Sequence, residues 1–153
     1  MKFISVFVFL LLTLGATAGE KKLVLIAGRP SHGPGEHEHR AGCLLFQKCL
    51  AAVPGLKTVV YENGWPTVQR DGRTVDDDAA LEDADAIVIY ADGGGNNPAL
   101  ERDHLAVLQR LIKRGVGFGC IHYAIEPTKK KDETEFLDWI GGAFETDWSV
   151  NPV

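Results

Sequence analysis

The sequence predicts an α/β fold in which a parallel sheet carries helices on both faces. Two observations lead there. Four short, nearly continuous apolar runs, Lys22 to Gly28 (KLVLIAG), Lys57 to Tyr61, Ala86 to Ala91 (AIVIYA) and the glycine-punctuated Gly115 to Ile121, read as strands buried on both faces. Helical periodicities stand between them, and strands alternating with helices of this length make βαβ units.

The elements follow in order. Met1 to Ala18 holds one basic residue, Lys2, an apolar run from Phe3 to Leu14, and the small residues Ala16-Thr17-Ala18. That pattern predicts a secretory signal cut between Ala18 and Gly19, and a periplasmic or extracellular destination. The run is shorter than the ~20 residues of a bilayer span, and no cysteine follows Ala18, so no stable membrane anchor is expected. After the first strand a helix is expected over His39 to Val53, with Cys43, Phe46, Leu50 and Val53 on one stripe before Pro54-Gly55 stops it. Gly64 to Ala84 shows no clear period and reads as a surface connection with one short helix. The next helix, Pro98 to Arg114, turns Leu105, Leu108, Leu111 and Ile112 inward; Asn97 is its N-cap, Pro98 its first residue and Gly115 its stop. A last helix, Glu133 to Ile140, closes at Gly141-Gly142.

Beyond the signal, residues 19–153 suffice for one domain with a real core. At 45% hydrophobic and 24% charged residues the chain is neither disordered nor a membrane bundle. A formal net charge of −5 argues against a nucleic-acid partner, which calls for a basic face. Cys43 and Cys49, six residues apart on one helix, diverge too far for a disulfide and read as core cysteines.

Parallel sheets bind ligands at the carboxyl ends of their strands, so the residues after each strand carry the candidate chemistry. The first strand is followed by a loop containing His32, Glu36, His37 and His39, and neutral imidazoles are the commonest transition-metal ligands. The spacing matches no fixed zinc signature, and the alternative is a solvated polar loop whose acidic residues complement a helix N-terminus. After the third strand, Asp92-Gly93-Gly94-Gly95 lets backbone N–H groups approach a ligand; without a G-K-[ST] it is no nucleotide P-loop, and a plain turn is the alternative. The fourth strand ends in Gly119-Cys120-Ile121-His122-Tyr123-Ala124. A sharp strand-to-helix elbow needs small residues two before and two after its apex. Centred on Cys120 those positions hold Phe118 and His122; centred on His122 they hold Cys120 and Ala124. Sterics therefore put His122 at the exposed tip and make Cys120 a packing residue.

This elbow, the opening KLVLIAG, the GEHEH loop and the closing DWSVNP together resemble the ThuA-like family, named for trehalose utilisation, over essentially the whole of residues 19–153. The resemblance implies a flavodoxin-like, class I glutamine amidotransferase-like three-layer sandwich in which His122 stands where a nucleophilic Cys is usual. It further implies carbohydrate metabolism. The expected activity is metal-assisted hydrolysis, lyase or isomerase chemistry on a keto-sugar or trehalose-like glycoside, with no nucleic acid involved. In that reading His122 and one or two of His32, His37 and His39 hold a divalent metal, zinc first. Glu36 or Asp92 is the general base beside the catalytic His122, and Gly93, Gly94, Gly95 and Tyr123 contact substrate. The family continues beyond Asn151-Pro152, so the chain is expected to be a partial domain, inactive alone and prone to form homo-oligomers.

Two other classes compete. A non-catalytic carbohydrate-binding module would use Trp65, Tyr90, Tyr123 or Trp148 as stacking platforms, although Tyr90 falls within a buried strand. A Cys-dependent amidotransferase-like hydrolase needs a histidine after the elbow, and none follows His122.

Overall fold

The computed structural model describes residues 19–127 and 130–144; the expected signal and the DWSVNP segment with Trp148 lie outside the described residues. No helix among the described residues is long and apolar enough to cross a membrane. The elements are β1 (Lys21–Ala27), α1 (His39–Leu50), β2 (Leu56–Tyr61), β3 (Thr67–Arg70), β4 (Arg73–Asp76), β5 (Ala86–Tyr90), α2 (His104–Lys113), β6 (Gly117–Ile121) and α3 (Lys130–Ile140). Four strands form one sheet in the order β2-β1-β5-β6, all parallel, with Leu25 of β1 opposite both Val60 and Val88.

Alternation along the central strand explains the layers. Val24 and Ile26 of β1 join Ile87 and Ile89 of β5 in a core closed by Leu108 and Leu111 of α2 and Phe136 of α3. Leu25 and Ala27 point the other way, against Cys43 of α1. Side chains of successive strand residues face opposite sides, so an unbroken apolar run is buried only if both sides are covered. The result is an α/β sheet with helices on each face, an arrangement consistent with a flavodoxin-like fold.

Three expectations are corrected. The first helix ends at Leu50, and its inner line is His39, Cys43 and Gln47 rather than Cys43, Phe46 and Val53. Phe46 and Val53 are 42% and 44% exposed, and Cys49 is exposed while Cys43 is buried. Gln47 Nε2 donates to the Thr58 carbonyl at 2.9 Å, which turns the helix onto β2 along that line. Gly64 to Ala84 contains a hairpin, β3 paired with β4 around Asp71-Gly72, followed by a short 3₁₀ turn over Asp78–Leu81. Asp71 and Gly72 both have positive φ, at 52° and 73°, the geometry of a tight hairpin turn. The expected helix from Pro98 is split into a 3₁₀ turn, Pro98–Leu100, and α2, with Glu101 extended and Arg102 at φ 50° between them.

The split has a cause in tertiary structure. Buried His104 places Nδ1 2.7 Å from the Pro98 carbonyl and Nε2 2.9 Å from Asp76 Oδ2, while Arg102 pairs with the other Asp76 oxygen. The Trp65 ring stacks on His104 at 4.0 Å, and Trp65 Nε1 donates to Asp78 at 2.8 Å. This network ties the hairpin to the start of α2. Burial acts to raise the Asp76 carboxyl, but the bonds from His104 and Arg102 outweigh it and hold it below the usual carboxylate range. A carboxyl depressed on folding stabilises above its unfolded value of about 3.9, and the contribution is lost as pH falls through the lower folded value. Asp76→Asn is therefore expected to destabilise by roughly 1–3 kcal/mol near neutral pH, with the difference from the parent chain shrinking below about pH 4. Urea denaturation at both pH values measures it, and a difference independent of pH would contradict the assignment.

Candidate metal centre

The first connection of the sheet leads from β1 to one side and the later ones lead to the other, so the switch point lies between the carboxyl ends of β1 and β5. A crevice opens at such a point. Gly28 continues β1 there, its N–H donating to the Tyr90 carbonyl at 2.8 Å, and the polar loop after it returns into α1. His37 adopts φ 43°, a conformation uncommon outside glycine, and its carbonyl accepts from the His39 N–H at 2.8 Å. This tight turn brings two imidazoles separated by one residue to the same side.

His37, His39, Asp92 and His122 converge, with one potential ligand atom from each, all within 4.8 Å of one another. Asp92 follows β5. His122 follows β6 at φ 64°, opening a 3₁₀ turn whose Ala124 is fully buried, so the strand-to-turn corner carries His122 at its apex. Asp92 Oδ1 lies 2.8 Å from His37 Nδ1, 3.6 Å from His39 Nε2 and 3.5 Å from His122 Nε2. Ligands ~2.0–2.1 Å from a tetrahedral ion stand about 3.4 Å apart, and two of these three separations approach that edge length. His39 Nε2 and Asp92 Oδ1 are buried and neither makes an aligned hydrogen bond, although His37 Nδ1 approaches the oxygen to 2.8 Å. An unpaired buried lone pair is costly, and a cation between the two would satisfy both. His39 Nδ1 faces the Arg29 carbonyl at 3.4 Å, which directs Nε2 toward the group, as outer partners of metal-bound histidines do.

The electrostatics suit a cation. Burial pushes His122 below the ordinary histidine value, and His37 adds to this against the pull of Asp92. Burial acts to raise the Asp92 carboxyl, but the Ser31 side chain and the His37, His39 and His122 rings outweigh it and hold it below the usual range. Neutral imidazoles beside an ionised carboxylate are the forms that ligate.

The other expected site residues are placed as follows. His32 lies outside the group, exposed, its ring packed against His37 at 3.9 Å. Glu36 is exposed on the same loop and lines a recess with His32, His37 and His39. Asp92, expected as a base, sits among the potential ligands. A Cβ on Gly93 would stand 2.2 Å from Glu126 Cβ and 2.7 Å from the Tyr123 carbonyl, so the smallness of that glycine serves contact with the His122 corner. Gly94 N–H donates to the Glu126 carbonyl at 3.0 Å, whereas Gly95 is exposed with open space around it. Half-buried Tyr123 packs its ring against His122 at 4.6 Å. Trp65, expected as a stacking platform, is buried under His104, and Tyr90 packs beside His39 within the second core cluster. Burial pushes the Cys120 thiol up to about 12, which leaves it no thiolate near neutrality. Reasoning from sequence missed His104 and the buried Asn97, whose amide donates to the Ala124 carbonyl at 2.6 Å and whose Oδ1 accepts from Ala99 N–H. The N-cap pattern flagged Asn97 only as the start of a helix.

Gly28 is where the site meets the core. A Cβ there would stand 2.6 Å from Ala91 Cβ, 2.9 Å from Ala91 Cα and 3.3 Å from His39 Nδ1. Gly28→Ala is expected to cost about 1–3 kcal/mol, because backbone of the adjacent strand must move, and to weaken zinc binding by displacing His39. Chemical denaturation and a zinc titration on the same variant check both parts.

Fold and site together define an α/β protein with a three-histidine, one-aspartate group at its switch point. The chain matches no protein-family model, no curated protein and no solved structure.

Proposed function

We propose that the chain is an exported ThuA-like protein of carbohydrate metabolism, with a class I glutamine amidotransferase-like fold, that binds one zinc ion through His37, His39, Asp92 and His122. The observation that carries the metal reading is the convergence of four ligand atoms, two of them buried without an aligned hydrogen bond. Three imidazoles and one carboxylate within 4.8 Å of one another suit zinc, which can also take a fifth, substrate-derived oxygen. Bound there, the ion supplies Lewis acidity toward a sugar carbonyl or toward water. The protein's own part is to orient and to move protons. Arg29 fixes His39 through its carbonyl, the corner at His122 holds that ring at the mouth, and Glu36 on the rim takes a proton from the substrate or from water. Support for the sugar substrate comes from the ThuA-like motifs of the sequence. Metal analysis of the purified chain beside His122→Ala, followed by assay on 3-keto-glycosides with and without a chelator, tests the proposal. About one zinc per parent chain, little in the variant, and loss on chelation of whatever turnover the chain shows are expected; a parent chain that takes up no zinc overturns it.

A further inference from the structure

We propose that the recess formed by Arg29, Ser31, Asn96 and Glu101 is a recognition subsite for adjacent hydroxyl groups of a polyhydroxylated ligand. It deepens the carbohydrate reading above and rests on it for the identity of the ligand. Three observations support it.

The first is position. Arg29 and Ser31 follow β1, and Asn96 and Glu101 follow β5, so the recess occupies the same switch-point crevice as the metal centre. The two are joined by a side chain: Ser31 Oγ lies 3.1 Å from His32 Nδ1 and 3.4 Å from His37 Nδ1. A ligand a few atoms long can touch the metal centre and the recess together.

The second is chemistry. Arg29 Nη2 donates to Glu101 Oε2 at 3.2 Å, an ion pair that engages one of the five guanidinium N–H groups and one carboxylate oxygen. The recess thus presents donors from Arg29 and Asn96 and an acceptor in Glu101, while the Ser31 hydroxyl at its inner edge is engaged by Asp92 and the neighbouring histidines. A sugar hydroxyl also both donates and accepts. Two adjacent hydroxyls can donate to Glu101 while accepting from Arg29 and Asn96, a match that neither an apolar group nor a lone carbonyl makes.

The third is charge. Arg29 alone would suit a phosphate or carboxylate, but Glu101 places a compensating anion against it. An anionic ligand seated in the recess would meet that carboxylate, so the subsite selects a neutral ligand.

The test is a solution NMR titration of the full chain, with and without zinc, using trehalose and D-glucose as probes and inorganic phosphate as the anionic control. The side-chain resonances of Asn96 and Arg29 report on the recess. Both sugars are expected to shift them while phosphate does not, and Glu101→Gln and Asn96→Ala are each expected to weaken sugar binding at least tenfold. Both side chains lie at the surface of the crevice, so the melting transition should hold, and neither is a zinc ligand, so zinc affinity should hold too. Sugars that bind both variants as tightly as the parent, that shift only other residues, or that give no shift while phosphate does, would each overturn the subsite. If zinc binds and the sugars do not, the subsite falls and the metal centre stands. If zinc does not bind but sugars bind and are lost in Glu101→Gln, the metal reading falls and the subsite stands.

Discussion

His39→Ala is expected to weaken zinc binding by at least ~100-fold, about 2.7 kcal/mol, while His32→Ala leaves it within a factor of about two. The contrast follows from burial and direction. His39 is 1% exposed, its Nε2 faces Asp92 Oδ1, and its other nitrogen is directed at the Arg29 carbonyl, so its loss removes a ligand already oriented before any ion arrives. His32 sits seven residues earlier on the same loop, exposed, touching the group only through the ring of His37. Competition with a chromophoric chelator measures both variants, and a melting curve of metal-free His39→Ala separates lost ligation from lost fold. Equal losses in the two variants would remove His39 from the ligand set.

Zinc affinity is also expected to collapse in acid, steeply rather than gradually. Each imidazole that must shed a proton before ligating contributes up to about tenfold per pH unit, so three of them approach about 1000-fold per unit at the acid limit. The pKa directions set where the fall begins. Burial and His37 push His122 below the ordinary value of about 6.5, so that ring stays neutral further into acid than a free histidine, and Asp92, held low, stays ionised throughout. Affinity should therefore be level above about pH 7 and fall with increasing slope below about pH 6. Zinc dissociation constants across that range measure the slope. A slope that never rises above about tenfold per unit even at the acid limit would mean that a single histidine ligates, and the four-residue centre would have to be withdrawn.

Much of the fold was legible in the sequence because strands buried on both faces leave a mark that needs no partner. Lys22 to Gly28 and Ala86 to Ala91 were readable within their own length; β5 falls inside its run, and β1, Lys21–Ala27, is offset from its own by one residue. The β3–β4 hairpin also has a local mark, Asp71-Gly72 between Thr67-Val68 and Thr74-Val75. The rotation of α1 was not legible. Cys43, Phe46, Leu50 and Val53 form as good a stripe as the observed one, and the choice came from contacts with β2 that no period in the helix encodes. Nor was the break before α2, because Asp76, which receives His104, lies 28 residues earlier.

The sequence by itself determined the cores of the four sheet strands, their alternation with helices, and the loops in which histidines and Asp92 stand, because composition and period act over a few residues at a time. It also determined that His122 rather than Cys120 suits a tight corner, since that is a local steric requirement. Only the tertiary structure decided that His37 and His39 face Asp92 and His122 while His32 does not, that Gly93 packs against Glu126, and that Trp65 is spent on His104. The first two outcomes depend on the parallel register of β1, β5 and β6, and the third on the Asp76 contact between the β3–β4 hairpin and α2; each sets residues far apart along the chain within a few ångströms of one another.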